Sequence, residues 1–247
     1  IAEGVDVVCS YGGDGTVMEV AQAVQGGDVP MAILPGGTAN LMSVELGIPK
    51  DLTKAAQIVV DPKSVVRYVD MGQVGEGTFM LRVGMGYEGE KVKEADREMK
   101  DKWGILAYSI AGLKALKTAP MANYRLTVDG EEYEIAGKAC DIYNAGNIGM
   151  KDVSASKKIH VSDGLMDVFV VRDTSLSSLM AVGDSFLGKE PNQDAVKHWQ
   201  FREIQIECDP PQTVQVDGEV WDPTPAITVR VLPGVLPILA PPTEQKA

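Results

Sequence analysis

The chain has 247 residues, 45% hydrophobic and 23% charged, and a net charge of −12. That length allows one large domain or two modest ones, and the composition is that of a globular protein without repeats or low-complexity tracts. The acidic balance excludes a nucleic-acid binder built on a basic stripe and disfavours tight adsorption to anionic membranes. In chain order, Val5 to Ser10 is apolar and rich in β-branched residues and runs towards glycine, the pattern of a short buried strand that contains Cys9.

Gly12-Gly13-Asp14-Gly15-Thr16 follows. Thr16 and Glu19 have the spacing of a capping box, in which hydroxyl and carboxylate satisfy the free N–H groups of a helix start. Glycines let a backbone approach a ligand closely, and a helix start attracts an anion such as phosphate. Asp14 adds a condition. A carboxylate beside phosphates is repelled unless it holds a metal ion, a proton or a hydroxyl. The loop therefore predicts a metal-assisted nucleotide site.

A second loop of the same kind comes next. Pro30 to Leu34 reads as a strand, Pro35-Gly36-Gly37 as a turn, and Thr38-Ala39-Asn40-Leu41 as a helix opening. That helix stops at Leu46-Gly47-Ile48-Pro49, with glycine after the last turn and proline beyond. Such an alternation is a right-handed βαβ unit with parallel strands. Both glycine loops then fall at the carboxyl ends of those strands, where open α/β sheets bind ligands. One such loop alone is compatible with an ordinary tight turn; two on one edge favour a ligand site.

Asp51 caps a helix from Leu52 to Val60, closed by Asp61-Pro62-Lys63. From about residue 64 strands dominate. Val65 to Val74 and Thr78 to Val83 flank Gly75-Glu76-Gly77, while Asn123 to Val128 and Tyr133 to Tyr143 flank Asp129-Gly130, two hairpin patterns. Asp167 to Val171, Ile204 to Cys208, Thr213 to Val216 and Ile227 to Leu232 add further strands. Two helical insertions are predicted, Gly89 to Thr118 with a break near Gly104, and Leu176 to Phe186. The expected fold class is α/β plus all-β: a nucleotide-binding α/β domain over residues 1–64, with a parallel sheet, joined to a β-sandwich domain with helical insertions over 65–247. The extreme C-terminus is left open to return to the first domain, and the active site is expected in the cleft between them.

Several stretches imitate motifs. Val128-Asp129-Gly130-Glu131 repeats the triplet of Val216-Asp217-Gly218-Glu219, and between its flanking strands it reads as a hairpin turn; the same turn reading stays open for Asp217. Gly84-Met85-Gly86-Tyr87-Glu88-Gly89 spells a dinucleotide fingerprint, but its strand belongs to a hairpin and Trp103 and Gly104 stand where the acidic partner is needed. It reads better as a close-approach turn lining the cleft. Glu88 to Lys102 alternates charges in the manner of a solvated helix face. The most apolar tail, Val229 to Pro242, is broken by Pro233, Pro237, Pro241 and Pro242 and does not span a bilayer. Three scattered cysteines without metal spacing, and no visible secretory leader, predict a reduced cytoplasmic setting.

Gly12-Gly13-Asp14-Gly15-Thr16 with Glu19, then Leu34-Pro35-Gly36-Gly37-Thr38-Ala39-Asn40, resembles the catalytic domain shared by bacterial diacylglycerol kinases, YegS-like lipid kinases and sphingosine kinases. NAD kinases and phosphofructokinases of the wider superfamily share the first loop. The likeness continues in order through Lys102-Trp103-Gly104-Ile105-Leu106-Ala107-Tyr108, Asp163-Gly164-Leu165-Met166-Asp167-Val168 and Val216-Asp217-Gly218-Glu219. The ordered set points to the lipid-kinase branch. Relatives carry a further N-terminal segment with the first strand and part of the nucleotide pocket, so the resemblance implies that this chain is N-terminally truncated.

The resemblance implies an ATP- and Mg²⁺-dependent kinase that phosphorylates a hydroxyl of diacylglycerol or a sphingoid-like lipid. Gly12, Gly13, Asp14, Gly15, Thr16, Glu19, Gly36, Gly37, Thr38 and Asn40 would hold the nucleotide. Asp217 corresponds to the family's general base, and Glu219 would assist Mg²⁺–ATP or orient that base, with Asp14 the third catalytic carboxylate. The Asp163 carboxylate with the carbonyls of His160 and Leu165 resembles a structural Mg²⁺ loop, a simple Asp-Gly turn being the other reading. Such a protein would be cytoplasmic and touch the membrane surface transiently; whether it oligomerises is left open. Two alternatives remain: an NAD kinase-like phosphotransferase on a soluble substrate, and a non-catalytic fragment that binds lipid or nucleotide.

Overall fold

The computed structural model describes residues 4–86, 119–150, 153–154, 159–172 and 196–242. Both predicted helical insertions, the Lys102–Tyr108 motif and the Glu88–Lys102 charge run lie outside the described residues.

The first unit is strand, helix, strand. Strand β1 (Val8–Gly12) leads into helix α1 (Asp14–Val24) and then β2 (Met31–Pro35). β1 and β2 pair in parallel, from Val8 opposite Met31 to Gly12 opposite Pro35. Two short helices follow, α2 (Leu41–Glu45) and α3 (Leu52–Val60). α3 starts where expected, with the Asp51 side chain accepting the Lys54 N–H at 2.9 Å. Gly47 stands just beyond α2 with φ +72°, the left-handed geometry that ends helices on glycine.

Strand β3 (Val65–Val74) opens the strand-rich part and is followed by β4 (Gly77–Phe79), β5 (Arg82–Met85), β6 (Ala122–Val128), β7 (Glu131–Gly137) and β8 (Ala139–Tyr143). β9 (Asn147–Met150) and β10 (Val153–Ser154) form a separate pair. β11 (Met166–Val171), β12 (Val196–Phe201), β13 (Glu203–Val216) and β14 (Glu219–Ala240) complete the order. Twelve strands join one open mixed sheet with the path β1-β2-β14-β13-β5-β8-β11-β12, from which β3–β4 and β6–β7 branch.

β13 makes this branching. Its first half pairs with β6 and its last residues, Val214–Val216, pair with β5. The β6–β7 arm lies over the β8–β11–β12 arm: the Tyr133 ring meets the Trp199 ring at 5.1 Å, and the Lys138 N–H reaches the Val171 carbonyl at 2.7 Å. Between them lies a core of Tyr124, Leu126, Ile142, Val168, Phe201, Ile206 and their neighbours. A second core joins Val17, Met18 and Ala21 of α1, Met42 of α2 and Ala55 and Ile58 of α3 to Met31, Ile33, Val69, Met80, Leu81 and Ile238. β14 serves both. It pairs with β13 and β3 along its length and ends in parallel with β2, Ile238 opposite Met31.

The structure corrects several expectations. The first strand starts three residues later and ends two later than Val5–Ser10, and Cys9 on it is exposed. α1 begins at Asp14 with Gly13 as its cap residue and no side-chain cap, so Thr16 and Glu19 form no capping box. Thr16 instead packs against Gly12, where an added Cβ would stand 2.6 Å from the threonine Cβ. Thr38 precedes the second helix rather than opening it. The single strand expected over Tyr133–Tyr143 is two, because the chain changes partners at Lys138 from β6 to β5 and β11. β14 reaches far beyond Ile227–Leu232, passing its prolines with a register shift between Leu232 and Leu236. β12 had no strand pattern that the sequence reading identified.

Candidate active site

The two glycine loops lie against each other at the carboxyl ends of β1 and β2. Gly36 N–H donates to the Gly12 carbonyl at 2.8 Å. A Cβ on Gly37 would stand 2.5 Å from the Gly13 Cα, and one on Gly36 would stand 3.0 Å from the Tyr11 ring. Loop-to-loop packing thus accounts for Gly36 and Gly37. Gly15 is different. It sits in the first turn of α1, and a Cβ there would meet nothing within 4 Å. Glycine weakens a helix relative to alanine, and neither packing nor a positive φ requires it here. What it leaves is bare backbone at a helix N-terminus, open to an approaching ligand.

Asp14 ties the loops together. Its Oδ1 accepts the N–H of Leu41 at 2.6 Å, so a side chain from the first loop caps the helix of the second. Asn40, the residue before α2, is left-handed with φ +51° and bonds reciprocally with Gly37: Gly37 N–H to Oδ1 at 2.9 Å, and Nδ2 to the Gly37 carbonyl at 2.7 Å. Asparagine tolerates this conformation because its short amide bonds locally. Burial pushes the Asp14 carboxyl above its ordinary range, while N–H groups of Leu41, Asn40 and Met42 pull the other way. Thr16, Glu19 and Thr38 are exposed beside this arrangement.

Asp217 is not on a strand. Asp217 and Gly218, with φ +45° and +97°, form the two-residue turn between β13 and β14, Val216 opposite Glu219. Both central residues at positive φ make this the hairpin turn favoured by Asp-Gly. Asp217 therefore does not share a strand face with Glu219, which is exposed at the start of β14. The Asp217 carboxylate accepts three backbone N–H groups: Met80 at 2.7 Å on Oδ2, Leu81 at 3.0 Å and Arg82 at 2.8 Å on Oδ1. This cradle is why the expected strand Thr78–Val83 splits into β4 and β5, since amides turned towards a side chain leave the ladder. Burial raises the Asp217 carboxyl, against the lowering by the N–H groups of Met80, Arg82 and Leu81 and by the Arg82 charge. Met80 and Leu81 belong to the same core as Val17 and Met42 of the helices behind the glycine loops.

Asp129-Gly130 is built in the same way: φ +46° and +92°, with the carboxylate taking the N–H groups of Arg202 and Glu203 at 2.9 and 2.8 Å. The two triplets are one local structure used twice. Gly86, the second glycine of the dinucleotide-like stretch, has φ +99°, and a Cβ there would stand 2.5 Å from the Lys138 carbonyl. Its strand pairs only antiparallel, with β13 and β8.

The Asp163 turn is held by a residue that sequence reading missed. Asp70, 2% exposed on β3, accepts the N–H of Gly164 and of Gly234, each at 2.7 Å, and donates its own N–H to the Val161 carbonyl at 2.7 Å. The signal available was an aspartate inside an apolar strand. Asp163 itself accepts the Leu165 N–H at 3.0 Å and is exposed beside His160. Burial and the charges of Asp167 and Asp70 raise its carboxyl. Mg²⁺ takes oxygen ligands, and the carboxylate that this turn presents is that of Asp163. No group of three or more His, Cys, Asp or Glu side chains that would hold a metal occurs among the described residues. A cavity of about 510 Å³, lined by Gln73, Trp221, Asp222, Thr224, Thr228 and Arg230 among others, includes neither the glycine loops nor Asp217.

Paired glycine loops at parallel strand ends, joined to an antiparallel sandwich through a shared strand, define an α/β scaffold with a candidate ligand site at the loops. Residues 1–74 match the family described as diacylglycerol kinase catalytic domain, and residues 82–240 match the YegS C-terminal NAD kinase β-sandwich-like domain. The chain belongs to this diacylglycerol kinase catalytic-domain family. It is 34% identical over 244 residues to the uncharacterized protein sll0036 of Synechocystis, covering 97% of this chain but 56% of that protein. It is 30% identical to a diacylglycerol kinase of Mycobacterium tuberculosis, covering 98% of this chain and 79% of that one. A crystal structure of a diacylglycerol kinase from Bacillus anthracis superposes with TM-score 0.79 at 27% identity, over 98% of this chain and 79% of that one. An NAD kinase from Archaeoglobus fulgidus shares the fold at TM-score 0.50 and 14% identity, over 97% of this chain and 79% of that one. No helix among the described residues is long and apolar enough to cross a membrane.

Proposed function

We propose that the chain is the catalytic core of a lipid kinase that transfers the γ-phosphoryl group of Mg²⁺–ATP to a hydroxyl of diacylglycerol or a related lipid. The observation that carries this reading is the bare first turn of α1 at Gly15, set at the joined glycine loops. Phosphoryl transfer needs phosphates held in line, charge neutralised and a group to take the hydroxyl proton. The Gly12–Thr16 loop receives the triphosphate, with Gly36, Gly37, Thr38 and Asn40 as its second wall and Glu19 at its rim. Asp217 takes the proton. Its Oδ2 accepts one N–H and keeps a lone pair for a substrate O–H. Glu219, two residues on, would assist Mg²⁺–ATP or orient that base. Asp14 supplies negative charge against the nucleotide's metal.

Asp163 and the carbonyls of His160 and Leu165 would hold a Mg²⁺ that stiffens their turn and neutralises its charge. The lipid is reached from the membrane surface by a cytoplasmic protein.

The test is turnover with Mg²⁺–ATP over a panel of diacylglycerol and sphingoid vesicles, with NAD as a soluble competitor. Phosphorylation of a lipid hydroxyl is expected. NADP formation without lipid product, or nucleotide binding without any transfer, would defeat the reading.

A further inference from the structure

Asn144 follows β8 and is fully buried, at 0% exposure. Its Nδ2 donates to two carbonyls, Asp70 at 2.7 Å and Met80 at 2.8 Å, and its N–H donates to the Leu81 carbonyl at 2.9 Å. Two carbonyl acceptors fix the amide's orientation, since only the NH₂ end can face both. Oδ1 then points away and has no partner among the described residues. Leaving a buried acceptor unpaired costs free energy, set here against the two buried carbonyls that the NH₂ group satisfies. The amide is useful for what it joins. Met80, on one side, gives its N–H to Asp217. Asp70, on the other, holds Gly164 next to Asp163.

We propose that Asn144 is a positioning residue, whose side-chain amide fastens the Met80–Arg82 cradle of Asp217 to the Asp70-held turn of Asp163, so that both carboxylates keep one fixed relation. The catalytic part of this inference rests on the lipid-kinase reading. The mechanical part does not. Asn144→Leu keeps the size and removes both donated bonds; Asn144→Ser keeps one donor and serves as well if the leucine variant does not fold.

Hydrogen exchange reads the mechanical part without any turnover. In either folded variant the amides of Met80, Leu81 and Arg82 and those of Gly164 and Gly234 should all exchange faster, by about tenfold for a lost buried hydrogen bond, with serine the milder. Wild-type protection in either segment overturns the coupling. In lipid-kinase assays kcat should fall by about tenfold or more with KM for ATP held within about twofold, as when transition-state contacts alone are lost. In an Asp217→Asn background the same change should leave the residual kcat where it was. An additive loss, or an unchanged kcat in a folded variant, overturns the positioning role. If the wild type phosphorylates no lipid, the lipid-kinase reading falls and the exchange data still decide the coupling.

Discussion

Replacing Asp217 by asparagine separates the proposed proton-accepting role from the structural one. The carboxylate holds Leu81 and Arg82 on Oδ1 and Met80 on Oδ2. Asparagine keeps one acceptor oxygen, which serves Leu81 and Arg82, and turns its NH₂ against the Met80 N–H. One part-buried donor is orphaned, a loss of roughly 1–3 kcal/mol. The matched control is Asp129→Asn, whose single oxygen retains the N–H groups of Arg202 and Glu203 that Oδ1 accepts at 2.9 and 2.8 Å and gives up only the longer 3.2 Å branch from Arg202 to Oδ2. Urea unfolding of both variants should therefore show Asp217→Asn destabilised by at least about 1 kcal/mol more than Asp129→Asn. Turnover should drop by about 10²–10⁴ in the first, the usual contribution of a general base, and stay near wild type in the second. Equal stabilities would refute the bonding account of the cradle. Unimpaired turnover in folded Asp217→Asn would discard Asp217 as the base.

Gly15→Ala should leave the fold intact or stabilise it by roughly 0.5–1 kcal/mol while weakening ATP binding, read by calorimetry. Gly37→Ala should destabilise, because its Cβ would stand 2.5 Å from the Gly13 Cα; similar effects of both on stability would contradict the distinction between packed and ligand-facing glycines. Asp14→Ala should cost about 1 kcal/mol through the lost cap on α2, and Asp14→Asn less, since an acceptor oxygen remains. Burial raises Asp217, so the acid limb of kcat/KM should lie above the ordinary aspartate value of about 4. Stability runs the other way. Raised folded values for Asp14 and Asp217 favour the protonated fold, a contribution complete below about pH 4 and lost as pH rises through those raised values. Profiles of activity and unfolding against pH in the wild type and Asp217→Asn would check both signs.

The βαβ start, α3 with its Asp51 cap, β3 and the Asp129 hairpin were legible because periodicity and turn chemistry are local. The split of Thr78–Val83 was not, because its cause is a carboxylate more than a hundred positions away. Nor was the cap on Leu41, supplied by Asp14 across two loops. Thr16 and Glu19 had capping spacing but lost to a helix that starts at Asp14. Asp70 and Asn144 carry no motif; they are single polar residues in apolar surroundings, and only their long-range partners give them meaning. The glycine loops were found through their composition, yet the reason for Gly12, against Thr16, and for Gly36 and Gly37, against the first loop, is visible only in three dimensions.

The last strand has a temporal consequence. Met31 and Ala32 find their parallel neighbours in Ile238 and Leu239, at the far end of a strand that also borders β3 and β13. Contacts so distant along the polypeptide form late and slowly. During synthesis the N-terminal sheet must wait on the ribosome with one flank unsealed, and a shielding chaperone would find its opportunity there.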